Sequence, residues 1–341
     1  MTTVFVSGAT GYIAQHIIKL LIAENYKVVG SVRSAAKGDK LKANLKSANF
    51  TYEIVPDILT AGAFDEALKA HQEVSVFLHT ASPFDFSATD IEKEQLIPAI
   101  EGTKNALYAI KKYGPNVTRV VLTSSYAAVG TASLEFDQST VVTEDTWNDI
   151  TREEALVNSV SGYRASKTFA ERAAWDFVKN EKPNFALTAV NPAFVFGPQA
   201  FDSEVTDRLH TSAELVGNLT KLGPHDPVPV FRGGYIDVKD VARTHLLAFE
   251  KEETKGKRLF NSAARCDSQD VLDIINDKFP ELRGKIPVGN PGAGKAISDS
   301  FRKVDYSETT RLLGFKFQPL EVPIVEAVEQ MLRVRKERLS L

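Results

Sequence analysis

A glycine-rich turn near the amino terminus constrains the fold of this chain more than any other segment. The apolar run Val4-Phe5-Val6 predicts a buried strand, and the turn Gly8-Ala9-Thr10-Gly11 separates it from a helical pattern. Two glycines let the backbone approach a bound pyrophosphate, and the amino end of the helix offers unpaired N–H groups. Ala14 replaces a third glycine and is still small enough for close helix–strand packing. The segment predicts the first βα turn of a dinucleotide-binding sheet; a plain strand–turn–helix is the alternative.

Short apolar runs alternate with helical patterns through the first half of the chain. Strands are predicted at residues 3–7, 27–31, 51–55, 74–79, 119–123 and 186–191, and helices at 13–24, 63–69, 94–113 and 162–179. This alternation is typical of βαβ units, and nearly continuous apolar strands indicate a sheet covered on both faces. The predicted fold class is therefore α/β, a Rossmann-type doubly wound parallel sheet with a smaller C-terminal substrate lobe.

The pattern changes after residue 191. Prolines interrupt residues 192–234; a helix at 237–251 and a strand at 258–261 follow, and further helices are predicted at 268–279 and 321–339, with a Gly/Pro loop at 284–294. We predict a dinucleotide-binding domain over 1–192, to which 235–262 returns. Residues 193–234 and 263–341 would form the smaller substrate-binding lobe.

Composition and charge exclude several classes of protein. The 341 residues include 41 Lys and Arg against 44 Asp and Glu, a net charge of -3, which argues against a nucleic-acid partner. A single cysteine, Cys266, excludes a disulfide framework and a Cys-based zinc site, and we predict no metal. We see no apolar stretch of about 18 residues and no targeting segment, so we expect a cytoplasmic protein without a membrane partner.

The end of the second predicted strand indicates which dinucleotide binds. NAD sites usually carry an acidic residue about 20 residues beyond the glycine turn, where it bonds the ribose 2′-OH. This chain has Arg33 there and Lys37 shortly after it, and both cations can hold a 2′-phosphate. The sequence therefore predicts NADPH/NADP+ as the cofactor, with a pair of solvated surface cations as the alternative.

A Tyr-x-x-x-Lys pair, Tyr163 and Lys167, is the candidate catalytic motif. The pattern also occurs at Tyr108 and Tyr235, but only Tyr163 opens a predicted helix directly before a core strand, with Ser125 at an upstream strand end. Carbonyl reduction needs an acid for the developing alkoxide and donors that stabilise its charge. We predict that Tyr163 donates the proton, that Lys167 lowers the tyrosine pKa, and that Ser125 orients the carbonyl oxygen.

With these motifs in place, the sequence resembles the extended short-chain dehydrogenase/reductase family over nearly its whole length. The shared runs are Gly8-Ala9-Thr10-Gly11-Tyr12-Ile13-Ala14, Asp57-Ile58, His79-Thr80-Ala81-Ser82-Pro83, Thr123-Ser124-Ser125, Tyr163 with Lys167, and Asn191-Pro192. Two further runs, Phe194-Val195-Phe196-Gly197-Pro198 and Gly234-Tyr235-Ile236-Asp237-Val238, resemble its dihydroflavonol-reductase branch. Within that branch, the chain closely resembles the yeast NADPH-dependent methylglyoxal/isovaleraldehyde reductases.

The resemblance implies roles for the matched positions. Together with the motifs above, it gives the predicted cofactor-binding residues Gly8, Thr10, Gly11, Tyr12, Ile13, Arg33, Lys37, Asp57, Ile58, Thr80, Ala81, Ser82, Tyr163, Lys167, Pro192 and Val195. The implied substrate-binding residues are Phe84, Phe86, Tyr126, Phe194 and Phe231. The family's fourth catalytic helper, an asparagine, is not clearly matched, and Asn105 is left unassigned.

Three classes of function remain open on sequence grounds. The leading one is NADPH-dependent reduction of small aldehydes and ketones, such as methylglyoxal and isovaleraldehyde. A nucleotide-sugar epimerase or dehydratase would need cations for a nucleotide pyrophosphate, whereas the predicted aromatics indicate an apolar pocket. A redox sensor that only binds the dinucleotide can lose the Tyr/Lys pair, which this chain keeps. A homodimer through the helices at 94–113 and 162–179 is a further expectation.

Overall fold

The computed structural model describes residues 1–82 and 88–340, and in them seven parallel strands form the central sheet. In chain order the strands are β1 (Thr3–Ser7), β2 (Lys27–Val32), β3 (Phe50–Ile54), β4 (Val74–His79), β5 (Arg119–Thr123), β6 (Val141–Val142), β7 (Ala186–Pro192), β8 (Phe194–Phe196), β9 (Arg232–Asp237), β10 (Arg258–Asn261), β11 (Ala264–Asp267) and β12 (Lys303–Val304). The central sheet has the order β10-β7-β5-β4-β1-β2-β3. The order reverses between β1 and β4, and ligands of such sheets bind at this switch point.

Helices cover both faces of the sheet. They are α1 (Tyr12–Ala23), α2 (Ala35–Leu45), α3 (Asp65–Ala70), α4 (Ile97–Tyr113), α5 (Arg152–Ala155), α6 (Ser159–Glu181), α7 (Thr211–Leu219), α8 (Val238–Glu250), α9 (Ser268–Lys278), α10 (Ala293–Asp299), α11 (Ser307–Leu313) and α12 (Glu321–Leu339). Val4 and Val6 of β1 pack in the cluster with α1 and α8, whereas Phe5 packs in the opposite cluster with α3, α4 and α6. Among the described residues, no helix is long and apolar enough to cross a membrane.

The predicted parallel sheet is confirmed. Strands β1, β4, β5 and β10 have the predicted bounds, β2 and β7 are one residue longer at the carboxyl end, and β3 is shifted by one residue. Helix α2 was not predicted because its sequence is rich in lysine, contains Gly38, and buries only Gly38 and Leu41. Helix α6 begins at Ser159, three residues before the predicted start, so Tyr163 lies one turn inside the helix rather than at its opening.

A second, three-stranded sheet lies beyond β7, with the order β11-β9-β8. Strands β8 and β9 are parallel and β11 is antiparallel to β9. Helices α7, α9 and α12 contribute to the apolar cluster that this sheet covers. Sequence reasoning missed β8, β9, β11 and α7. Prolines and glycines interrupt residues 192–234, where β8 and α7 lie and β9 begins, and β11 has only four residues. Strand β10 pairs with β7, so the chain contributes a last strand to the central sheet after the second sheet has begun.

Candidate active site

The predicted phosphate-binding turn joins β1 to the amino end of α1. Gly8 has a φ of 67°, and a Cβ added there would lie 3.0 Å from the Ala81 Cα atom. Gly11 is the N-cap of α1, and no side chain caps the helix. The Gly8 N–H donates to the Ser31 Oγ atom over 3.0 Å, which holds the turn against the end of β2. A close backbone and an uncapped helix end fit the pyrophosphate of a dinucleotide.

Substituting Gly8 by Ala should weaken NADPH binding at least tenfold. The left-handed conformation costs an alanine about 1–2 kcal/mol, and the new Cβ would press the turn against Ala81. Gly256→Ala is the matched control, because Gly256 also has a positive φ of 71° but has nothing within 4 Å of the added Cβ. The measurement is the NADPH dissociation constant and the Tm of both variants. Equal NADPH affinity in the two variants would contradict a role of the Gly8 turn in binding.

A buried pair, Ser7 and His79, lies next to this turn and connects the ends of β1 and β4. The Ser7 Oγ atom accepts the backbone N–H groups of Thr80 and Ala81, each over 3.0 Å. Its own proton is therefore available for the His79 Nδ1 atom, 2.9 Å away. Burial, with the nearby charge of Lys167, lowers the pKa of His79 to about 3, so the ring is neutral near pH 7. Sequence reasoning missed Ser7, although a serine ending an apolar strand was a usable signal.

The two predicted 2′-phosphate ligands lie between β2 and α2. Arg33 follows the strand, Lys37 lies in the first turn of the helix, and both side chains are exposed. Among residues 1–82 and 88–340, neither side chain has a hydrogen bond or an ion pair. Ser34, the N-cap residue of α2, makes no side-chain cap, so this helix end is open as well. The arrangement fits a phosphate group.

Two of the predicted cofactor-binding residues, Asp57 and Ile58, lie on a loop after β3. The Asp57 carboxylate accepts the Leu59 N–H over 2.9 Å and shapes the loop. Asn105 of α4 donates its side-chain amide to the carbonyl oxygens of Ile58 and Leu59, at 2.9 and 3.0 Å. Asn105 therefore holds this loop, which is a structural use of its amide rather than that of a catalytic helper.

The remaining predicted cofactor residues lie around the same edge of the sheet. Thr10 and Ile13 flank Gly11 and Tyr12 at the start of α1, Thr80, Ala81 and Ser82 follow β4, Pro192 ends β7, and Val195 lies in β8. The Tyr12 hydroxyl donates to the Gly197 carbonyl over 2.9 Å, so α1 is tied to the loop after β8. The structure thus brings together residues that lie far apart in the sequence.

Two of the three predicted catalytic residues, Ser125 and Tyr163, meet at the end of β5. The Tyr163 hydroxyl donates to the Ser125 Oγ atom over 3.3 Å, and that oxygen also accepts the Ala127 N–H over 3.1 Å. Lys167 lies one helical turn after Tyr163 on α6, whose amino end is capped by the Asn158 side chain. The Tyr163 and Lys167 side chains are half-buried. Strand β5 and helix α6 therefore set the distance between Ser125 and Tyr163.

The pKa values in this trio differ from the sequence expectation. Burial raises the pKa of Tyr163, and the Ser125 hydrogen bond and the charge of Arg164 oppose this shift only in part. The expected net lowering by Lys167 is absent in this structure. Burial also lowers the pKa of Lys167 to about 8, because the interior disfavours its charged form. Tyr163 therefore keeps its proton near neutral pH, as an acid must.

The predicted substrate residues are only partly brought together. The Phe194 and Phe231 ring centroids lie 6.4 Å apart, and Phe194 is the more exposed ring. The Arg265 guanidinium donates to the Tyr126 hydroxyl over 3.1 Å, and this hydroxyl donates to the Glu135 carboxylate over 3.3 Å. Only the Tyr126 ring is therefore available to a substrate. The predicted positions Phe84 and Phe86 lie outside the described residues.

Comparison with known proteins defines the family. Residues 4–263 match the model of the NAD dependent epimerase/dehydratase family, and the chain belongs to that family. The Rossmann-type fold predicted from the sequence is confirmed.

Two curated relatives match nearly the full chain. The putative NADPH-dependent methylglyoxal reductase GRP2 of Candida albicans is 52% identical over 97% of this chain and 98% of its own. The NADPH-dependent methylglyoxal reductase GRE2 of Saccharomyces cerevisiae is 49% identical with the same coverage. The crystal structure of Gre2 from Candida albicans with NADPH has a TM-score of 0.96 and 50% identity, covering 98% of this chain and 99% of that one.

Proposed function

We propose that this protein is an NADPH-dependent reductase of aldehydes and ketones. The observation that carries the proposal is the contact of the Tyr163 hydroxyl with the Ser125 Oγ atom, one helical turn from Lys167. This trio lies at the same edge of the sheet as the glycine turn. The two curated relatives and the NADPH complex with half of its residues identical support the same activity.

The mechanism divides the work among three side chains. When bound, NADPH supplies the hydride that reaches the carbonyl carbon. Ser125 donates its hydroxyl to the carbonyl oxygen and orients it, and Tyr163 protonates that oxygen as negative charge develops. Lys167, when charged, stabilises negative charge on the phenol oxygen of Tyr163 as the proton leaves. The product is the alcohol, and Tyr163 regains its proton from solvent.

We propose small carbonyl compounds of the methylglyoxal and isovaleraldehyde type as substrates. Both curated relatives are named for methylglyoxal, and yeast Gre2 is also known as a methylglyoxal/isovaleraldehyde reductase. The aromatic cluster of Phe194, Phe196 and Phe231 supports an apolar pocket, since its rings pack at centroid distances of 6.2 to 6.4 Å. Phe194 is connected to the candidate catalytic residues, because it follows Asn191 by three residues and the Asn191 amide donates to the Ser125 carbonyl oxygen.

A substrate panel tests the proposed activity against a nucleotide-sugar epimerase. NADPH absorbance is followed with methylglyoxal, isovaleraldehyde, an aryl ketone and one nucleotide sugar, each also with NADH. We expect NADPH oxidation with the carbonyls and no conversion of the nucleotide sugar. Epimerisation of the sugar without net loss of reduced cofactor would replace the proposal by its alternative.

Substituting Phe194 by Ala should shift activity towards bulky ketones. The truncation opens space and removes apolar contact worth about 0.8 kcal/mol per CH₂, so small aldehydes should bind more weakly. Phe315→Ala is the control, because this half-buried ring packs against the α1 and α8 cluster instead. The measurement is kcat/KM for a small aldehyde and an aryl ketone. An unchanged ratio in Phe194→Ala would remove this ring from the pocket.

We also propose a cytoplasmic location and a homodimer. Helices α4 and α6 pack side by side, and a groove of about 390 Å³ between them is lined by Ile100, Tyr108 and Phe177 among others. Tyr108 is 52% exposed although its ring packs against Phe177, which supports a second copy on this face. We further propose the two lobes predicted from the sequence. One is formed by residues 1–192 and 235–262, and the other by residues 193–234 and 263–341.

A further inference from the structure

A buried carboxylate, that of Glu171, lies one helical turn beyond Lys167 on α6. Its side chain is 0% exposed. Its donors are the Ser124 hydroxyl at 2.6 Å, the Asn191 amide at 2.7 Å, the Arg258 Nε atom at 2.6 Å and the Trp175 indole N–H at 3.1 Å. A buried carboxylate is costly unless donors surround it, and here both oxygens are used.

Three of these donors come from the central sheet, and the fourth, Trp175, lies on α6 itself. Ser124 directly follows β5, Asn191 lies near the end of β7, and Arg258 begins β10. The Asn191 amide also donates to the Ser125 carbonyl over 3.2 Å. Two hydrogen-bonding routes therefore connect Ser125 with Glu171. One runs through the neighbouring residue Ser124, and the other runs through the Asn191 amide.

We propose that Glu171 is a positioning residue of the reductase. Tyr163, Lys167 and Glu171 are spaced by four residues, so they lie along one side of α6. The carboxylate of Glu171 joins this helix to the strand end that carries Ser125. It thereby fixes the separation of the Tyr163 and Ser125 hydroxyls. This inference rests on the proposed function, and it adds a residue that does not touch the substrate.

The position of Glu171 predicts which kinetic constant changes. A displacement of about 1 Å among reacting groups can cost 10²-fold in rate. The proposed phosphate contacts, Gly8 and Arg33, follow β1 and β2, whereas the sheet residues that contact Glu171 follow β5 or lie in β7 and β10. Loosening the Glu171 contacts should therefore lower kcat and leave the NADPH dissociation constant nearly unchanged.

Ser124→Ala is the decisive variant, and Glu171→Gln accompanies it. Ser124→Ala removes one hydroxyl and should lower kcat at least fivefold, with NADPH affinity within twofold of the wild type. Glu171→Gln should lower kcat further, but it also leaves Arg258 buried without its counter-charge. Thr188→Val is the control, because it removes a buried hydroxyl from β7 whose one bond within residues 1–82 and 88–340 is to the Thr254 carbonyl. Each protein is measured for kcat, KM, NADPH affinity by fluorescence titration, and Tm.

The outcomes separate this proposal from the proposed function. A loss of kcat in Ser124→Ala, against full activity and a similar Tm in Thr188→Val, supports the positioning role. If folded Ser124→Ala has a kcat no more than twofold below the wild type, the positioning role of Glu171 is overturned. The proposed function still stands in that case, because the wild type is active. An inactive wild type overturns both. If Glu171 acts through Ser124, the fold-loss of kcat in the double variant Ser124→Ala/Glu171→Gln should be smaller than the product of the two single fold-losses.

Discussion

We expect Tyr163→Phe to lower kcat for a carbonyl substrate by about 10²–10⁴-fold, the typical cost of losing a general acid. The variant keeps the ring and loses the hydroxyl that donates to Ser125 over 3.3 Å. NADPH affinity should change little, because the proposed contacts with the phosphates lie elsewhere. The measurements are kcat in steady state and NADPH affinity by fluorescence titration.

Two other tyrosines of the same Tyr-x-x-x-Lys pattern serve as controls. Tyr108 is 52% exposed on α4, and Tyr235 is 4% exposed in β9. Their phenylalanine variants should stay active. Retention of more than a tenth of wild-type kcat in Tyr163→Phe would show that another group supplies the proton.

The second large effect concerns the choice of cofactor. Arg33→Ala should weaken NADPH binding by about 10- to 150-fold, because a hydrogen bond to a charged partner contributes about 1.5–3 kcal/mol. NADH should be affected little, since it has no 2′-phosphate. The preference should also decrease at high salt, because Arg33 is exposed and exposed charge pairs are screened. The measurement is kcat/KM for both cofactors at low and high ionic strength.

Arg33→Asp should extend this effect. The carboxylate would repel a 2′-phosphate and could accept a hydrogen bond from a free ribose 2′-OH, so the preference should move towards NADH. Lys37→Ala should give a smaller loss for NADPH. Equal losses for NADPH and NADH in Arg33→Ala would mean that the residue acts on the fold or the adenine, and the 2′-phosphate role would have to be abandoned.

The central sheet could be predicted because its strands are short, apolar runs bounded by turns. Val4, Phe5 and Val6 are all buried, which produces the continuous apolar pattern. The second sheet was not predicted, because Gly233 and Gly234 interrupt β9 and β8 has only three residues. The pairing of these strands depends on contacts across the lobe, which no local pattern reveals.

The candidate site could be predicted where its residues form a local sequence pattern. The Gly8 turn and the Tyr163–Lys167 pair are local patterns, and the structure places Ser125 beside Tyr163 as expected. The supports of the site were missed, since Ser7, Ser31, His79 and Glu171 act through partners that are distant in sequence. The raised pKa of Tyr163 was also missed, because burial is a property of the packed structure.

Transfer of deuterium tests the central claim most directly. NADPH carrying deuterium at the transferable C4 position is incubated with the protein and methylglyoxal or isovaleraldehyde, and the products are examined by NMR. We expect one NADP+ per alcohol formed, with deuterium on the former carbonyl carbon. An alcohol without deuterium, or no alcohol and unchanged NADPH, would contradict the assignment of this protein as an NADPH-dependent carbonyl reductase.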